Sequence, residues 1–199
     1  MRLHLSKHPL SRPHLTLPME QVTHDWFGQP QQPSPRYAMG LDAESFWLVA
    51  SHEDRPRLHR SAKTGDFVEG LWEYDVAEWF VAAADGSSYL EFNLGPQGAW
   101  WCCGFDEARL RSEPALAPPA GVRTYAESTP QGAWTSAIAV PRAFLEEHVG
   151  FGPQSRMNVT MILGTPKERF LTAADLGGGE PDYHRPRQFR TADWISPNT

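Results

Sequence analysis

Apolar and polar residues alternate along this chain in short runs, and each run ends at a turn-forming residue. Alternation with a period of two marks β-strands whose side chains point to opposite faces. From residue 36 onward the pattern predicts strands at Tyr37 to Asp42, Ser45 to Ala50, Val76 to Ala82, Ser88 to Leu94, Ala99 to Phe105, Ala133 to Val140 and Arg156 to Leu163. A hairpin is expected around Asp42 to Glu44. Asp85-Gly86 and Pro96-Gln-Gly98 supply turn chemistry between the three central runs. Those runs recur roughly every dozen residues, the cadence of an antiparallel meander. His14 to Pro18 reads as an edge strand, because Leu15 and Leu17 share a face while Pro13 and Pro18 confine it to a sheet margin. Pro141 to His148 breaks the rhythm: a proline at its first position and Gly150 beyond its end predict a helix of about two turns.

Three aperiodic stretches separate these elements. Gln29 to Pro35 packs three prolines among polar residues, Pro114 to Gly121 is rich in proline and alanine, and Gly177 to Pro181 opens with three glycines. A length of 199 residues suits one core better than two. Residues 1–35 are therefore read as an N-terminal edge strand and Pro/Gln-rich loop belonging to the same domain as a β-sandwich over residues 36–199. The expected class is all-β: an antiparallel sandwich of immunoglobulin-like or jelly-roll style with one short helix. Eight Trp, ten Phe and five Tyr alongside 18 Pro and 16 Gly agree with short strands joined by tight turns.

A formal net charge of -6 leaves no basic surface of the kind that nucleic acid or anionic lipid requires. No stretch approaches the apolar length of a membrane-spanning helix. Charges, histidine and proline interrupt residues 1–10 before a signal-peptide core could form, so a cytoplasmic location is expected. Cys102 and Cys103 are sequence neighbours, a spacing that strains a disulfide, and read as two reduced thiols. The eight histidines are scattered without ligand spacing, so no metal is expected. Gly-x-Ser-x-Gly and phosphate-cradling glycine patterns are missing. The sequon Asn158-Val-Thr160 lies in strand text and carries no weight.

The segment Leu71-Trp-Glu-Tyr-Asp-Val-Ala-Glu-Trp-Phe80 places acids beside a large aromatic, a combination that can grip a polyol by stacking and charge-assisted hydrogen bonds. In a strand Glu78 shares a face with Val76 and Phe80, so it either lines a pocket or is satisfied internally. Tyr89, Glu91 and Asn93 alternate with Leu90, Phe92 and Leu94, forming either a ligand-facing polar stripe or a solvated outer face. A hydrolase built from Glu73, Asp75 and Glu78 is disfavoured, since adjacency on one strand does not set the separation that glycosidic cleavage needs. No catalytic residue is assigned.

Gly70 to Phe80, followed by Tyr89-Leu-Glu-Phe-Asn-Leu-Gly-Pro-Gln-Gly-Ala-Trp100, resembles the heart of bacterial DOMON-like domains related to family 9 carbohydrate-binding modules. The resemblance continues through Trp134 to Pro141, the strand around Asn158, and Pro181-Asp-Tyr-His-Arg-Pro186 with Phe189. It implies a non-catalytic β-sandwich that binds a small-molecule ligand, a carbohydrate or related polyol. By that likeness Trp72 stacks on the sugar while Glu78 and Asn93 hydrogen-bond it. Glu91 stands where sugar-binding relatives carry Arg, Trp134 and Phe170 are candidates for a second stacking ring, and His184 belongs to the closing motif. Two alternatives follow from the same family. One is a haem- or redox-associated domain using Met157, Met161 and His184, although no cofactor is the leading expectation. The other is an interaction domain without ligand, with Trp100, Trp101 or Trp194 exposed.

Overall fold

The computed structural model describes residues 1–11, 16–164 and 167–196. Its strands form two sheets. The first contains β1 (Arg2–Leu5), β2 (Glu20–Gln21), β3 (Arg36–Leu41), β4 (Ser45–His52), β9 (Arg123–Ser128), β10 (Trp134–Pro141) and β14 (Asp193–Ile195), in the order β14-β1-β3-β4-β10-β9 with β2 on β3. β1 runs parallel to both β3 and β14, and the other pairs are antiparallel. The second contains β5 (Val76–Ala82), β6 (Tyr89–Leu94), β7 (Trp100–Glu107), β8 (Leu110–Arg111), β11 (Arg156–Leu163), β12 (Arg169–Thr172) and β13 (Arg190–Thr191). It is antiparallel throughout, in the order β12-β11-β5-β6-β7-β8 with β13 on β11.

The sandwich and the short helix agree with the sequence pattern. β5 and β11 coincide with the predicted spans, and the hairpin at Asp42 closes β3 onto β4, with Asp42 Oδ1 accepting from the backbone N–H groups of Glu44 and Ser45. The helix α1 (Arg142–Val149) starts one residue later than predicted. Pro141 ends β10 and caps the helix instead, while Gly150 closes it at φ 60°, a left-handed conformation that glycine adopts without steric cost.

The edge strand expected at His14 to Pro18 needs correction. His14 and Leu15 lie outside the described residues, and Thr16 to Met19 are not in a strand. The place beside β3 is taken by β1, and Leu17 instead packs with Leu10 and Trp47 on the outer face of the first sheet.

Between the sheets, Leu3, Met39, Phe46, Leu48, Ile138 and Val140 meet Ala77, Trp79, Val81, Leu90, Phe92 and Val159. Phe46 stacks on Trp79 at 3.9 Å, and Trp79 lies 5.2 Å from Phe92, so aromatic contact runs across the layer. The second sheet is also apolar on its far side. Val76, Phe80, Tyr89, Trp101, Phe105 and Ile162 form a separate cluster there, covered by Leu71, Leu176, Tyr183 and Phe189 from connecting segments. All seven residues of β5 are buried for that reason. Among the described residues no helix is long and apolar enough to cross a membrane.

Candidate ligand-binding site

Register decides which side chains meet on this covered face. The turn after β6 bonds Gly95 N–H to Ala99 O and Gly98 N–H to Gly95 O, with Gly98 at φ 83°. That turn pairs Asn93 with Trp101. Across the sheet, Thr160, Glu78, Asn93 and Trp101 then stand in one row, and Asn158, Phe80, Glu91 and Cys103 in the next. Residues paired across antiparallel strands share a face, so both rows project away from the partner sheet.

A cavity of about 380 Å³ opens over these rows. Glu78 and Glu91 lie at its floor, with Trp72, Trp101, Phe105, Phe170 and Tyr183 as apolar walls and Arg109, Arg111 and His184 at its edge. Trp72 comes from a single 3₁₀ turn, Leu71–Glu73, and meets Trp101 edge to face at 5.1 Å. Arg111 holds its guanidinium 5.1 Å above the Trp101 ring and pairs with Glu69 at 2.8 Å. Arg109 pairs with Asp182 at 2.9 Å. It sits in the tight β7–β8 turn at φ 63°, the one described non-glycine residue with a positive φ, a conformation costing roughly 1 kcal/mol.

Electrostatics on the floor are unusual. Glu78 and Glu91 are 3% and 5% exposed. Burial raises both carboxyls well above the usual carboxylate range, and the charge of Glu91 raises Glu78 further. Hydrogen bonds oppose this: Thr160 Oγ1 donates to Glu78 Oε2 at 2.9 Å, and Asn93 Nδ2 donates to Glu91 Oε1 at 3.0 Å. Burial thus biases both carboxyls towards the protonated form. His184 moves the other way, down to about 4, because burial and then Arg109 disfavour its charged form. Tyr89 Oη accepts from Arg109 N–H at 3.1 Å and shares a hydrogen bond with His184 Nδ1 at 2.7 Å. On the other side of the ring, His184 Nε2 faces Glu91 Oε2 at 3.9 Å.

Of the residues singled out in the sequence, the structure brings Trp72, Glu78, Glu91, Phe170 and His184 around one cavity. Asn93 lies in the same cluster, fully buried against Glu91. Trp134 stands apart: it opens β10 in the first sheet, and its ring is buried in the core between the sheets. Glu73 is exposed, and Asp75 is buried and accepts from Gly164 N–H at 2.7 Å, so these acids do not converge with Glu78. Met157 and Met161 are in the core, on the opposite face of β11 from the cavity. Trp100 and Trp101 are only 7% and 5% exposed, and Trp194 stacks on Phe151, which corrects the expectation of exposed tryptophans. Both cysteines are free thiols; Cys102 faces the core and Cys103 the covered side.

Trp101, Arg109, Arg111 and Tyr183 were missing from the sequence-derived set. Alternation along Ala99 to Phe105, taken with the Gly95–Gly98 turn, carries enough signal to place Trp101 opposite Asn93. The two arginines had no such signal, because β8 is two residues long and a register shift precedes it.

Neither protein-family models nor curated protein sequences give a match to this chain. Solved structures do. A candidate carbohydrate-binding protein from Bacteroides uniformis superposes with a TM-score of 0.70 at 16% identity, covering 89% of this chain and 86% of its own. A family 9 carbohydrate-binding module from Caldicellulosiruptor kristjanssonii in complex with cellotriose gives 0.62 at 7% identity, covering 99% and 94%. A family 9 module from the same organism in complex with glucose gives 0.62 at 9% identity, covering 100% and 97%. This chain shares the fold of carbohydrate-binding modules along nearly its whole length.

Proposed function

We propose that this chain is a non-catalytic module that binds a carbohydrate in the cavity over the second sheet. The observation that carries the reading is the convergence of Trp72 and Trp101 with Glu78 and Glu91 in one recess. Pyranose rings present apolar C–H faces to aromatic rings and hydroxyl donors to carboxylate oxygens, and the recess offers both. The structural neighbours crystallised with cellotriose and glucose support the same reading. A haem-binding role has less support, because Met157 and Met161 are turned into the core, away from His184.

Isothermal titration of the purified protein with a panel of mono- and oligosaccharides tests this. Saturable binding is expected for at least one sugar, and Trp72→Ala is expected to weaken it by roughly tenfold or more, the effect of losing about 1.4 kcal/mol of stacking. Trp72 is half-buried on a surface turn, so that variant should unfold near the wild-type temperature. A folded protein that takes up none of the sugars would overturn the proposal.

A further inference from the structure

The cavity floor has more acceptors than donors. Thr160 and Asn93 each serve one oxygen of a carboxyl group, leaving Glu78 Oε1 and Glu91 Oε2 without a hydrogen bond among the described residues. Asn93 Oδ1, buried beside them, also has no donor. Negative charge is only partly offset, since Arg111 and Arg109 act on Glu91 without forming an ion pair with it. Among the described residues the one basic group at ion-pair distance from either glutamate is His184, 3.9 Å from Glu91, and burial keeps that ring neutral. Arg109 and Arg111 line the cavity, but their ion pairs are with Asp182 and Glu69 at the rim.

Two buried carboxyl groups with no paired cation hold their protons, and a ligand that brings both charge and donors can take the place of those protons. A sugar hydroxyl brings one donor and no charge. An ammonium group brings three donors and a full positive charge. The walls favour the same chemistry, since aromatic faces attract cations as well as the C–H surface of a sugar ring.

Resting on the carbohydrate reading, we infer that the preferred ligand is an amino sugar, its ammonium seated on Glu78 and Glu91 and its ring against Trp72 and Trp101. Glu78 supplies one open oxygen from β5 and Glu91 the other from β6. The register that sets these strands side by side thus builds the ammonium seat.

The test is a titration series with matched pairs in neutral buffer, where the ammonium form is available and the carboxyls can give up a proton in exchange for it: glucosamine against glucose, galactosamine against galactose, and chitosan against cellulose oligomers. N-acetylglucosamine removes the charge while keeping the substituent, and glucuronic acid reverses its sign. The amino member of a pair is expected to bind roughly ten- to hundredfold more tightly than its neutral partner, the range for hydrogen bonds to charged groups. Acetylation should abolish that preference, and Glu91→Gln and Glu78→Gln should each drive the affinity ratio towards one. Equal or weaker binding of the amino sugars, with neutral sugars still bound, would overturn this inference and leave the carbohydrate reading standing. Preference for glucuronic acid would overturn it in favour of the rim arginines. Binding of no sugar at all would overturn both.

Discussion

At the level of single residues, Glu78, Glu91 and His184 make the molecule sensitive to pH. Each glutamate has a folded-state pKa raised above its usual value, so the folded chain keeps protons that the unfolded chain releases. Stability then falls as pH rises towards and through the raised values. His184 acts oppositely: lowered to about 4 from its usual 6.5, it is neutral in the folded chain while the unfolded chain takes up a proton, which costs stability as pH drops below 6.5. As pH rises past 6.5 the histidine becomes neutral in the unfolded state too, and the two glutamates set the slope. The thermal unfolding midpoint is therefore expected to decline from pH 6.5 into the mildly alkaline range, and Glu78→Gln should flatten that decline. A midpoint independent of pH over this range would contradict the upward shift that burial imposes on the two carboxyls. A second residue-scale expectation concerns Trp79, sandwiched between Phe46 and Phe92: Trp79→Ala should cost about 3–5 kcal/mol in denaturant unfolding, as for other buried aromatics truncated to a methyl group.

At the level of elements, the β7–β8 turn stores strain in Arg109, whose left-handed backbone aims its side chain at Asp182 while its N–H fixes Tyr89. Asparagine tolerates that conformation, so Arg109→Asn should leave the unfolding temperature within a few degrees. A collapse in stability would show that the ion pair with Asp182 holds the turn. Elements were legible in the sequence where periodicity and turn chemistry agreed. β5, β6, β7 and β11 have both, and their alternation also placed Glu78, Glu91 and Asn93 correctly relative to the apolar faces. It did not reveal that the polar face would be covered. That cover comes from Trp26, Tyr183 and the stretch around Arg185, which are held by contacts such as Arg185 to the Leu176 and Gly178 carbonyls and Trp26 Nε1 to the Gly179 carbonyl. Such contacts link distant or aperiodic segments, and no local pattern announces them. β1, β9 and β14 escaped notice for a related reason: they are short or partly exposed, and pairing with neighbours defines them.

At the scale of the whole molecule, one sheet is sealed on both sides, by its partner sheet on one and by connecting segments on the other. The binding recess draws on residues from Trp72 to His184, so it exists only when the complete fold does. Ligand binding should therefore raise the global unfolding midpoint in proportion to the logarithm of free ligand above its Kd, and a differential scanning series at increasing concentration measures this. The parallel placement of β1 beside β14 has a mechanical consequence. Tension applied through residues 2 and 195 slides these strands lengthwise past each other, so their ladder bonds load together. Tension applied through residues 45 and 141, which face each other at one end of the antiparallel β4–β10 pair, opens the ladder bond by bond. Pulled in the first direction the domain should yield at a distinctly higher force than in the second, behaving as a clasp when its two ends are drawn apart.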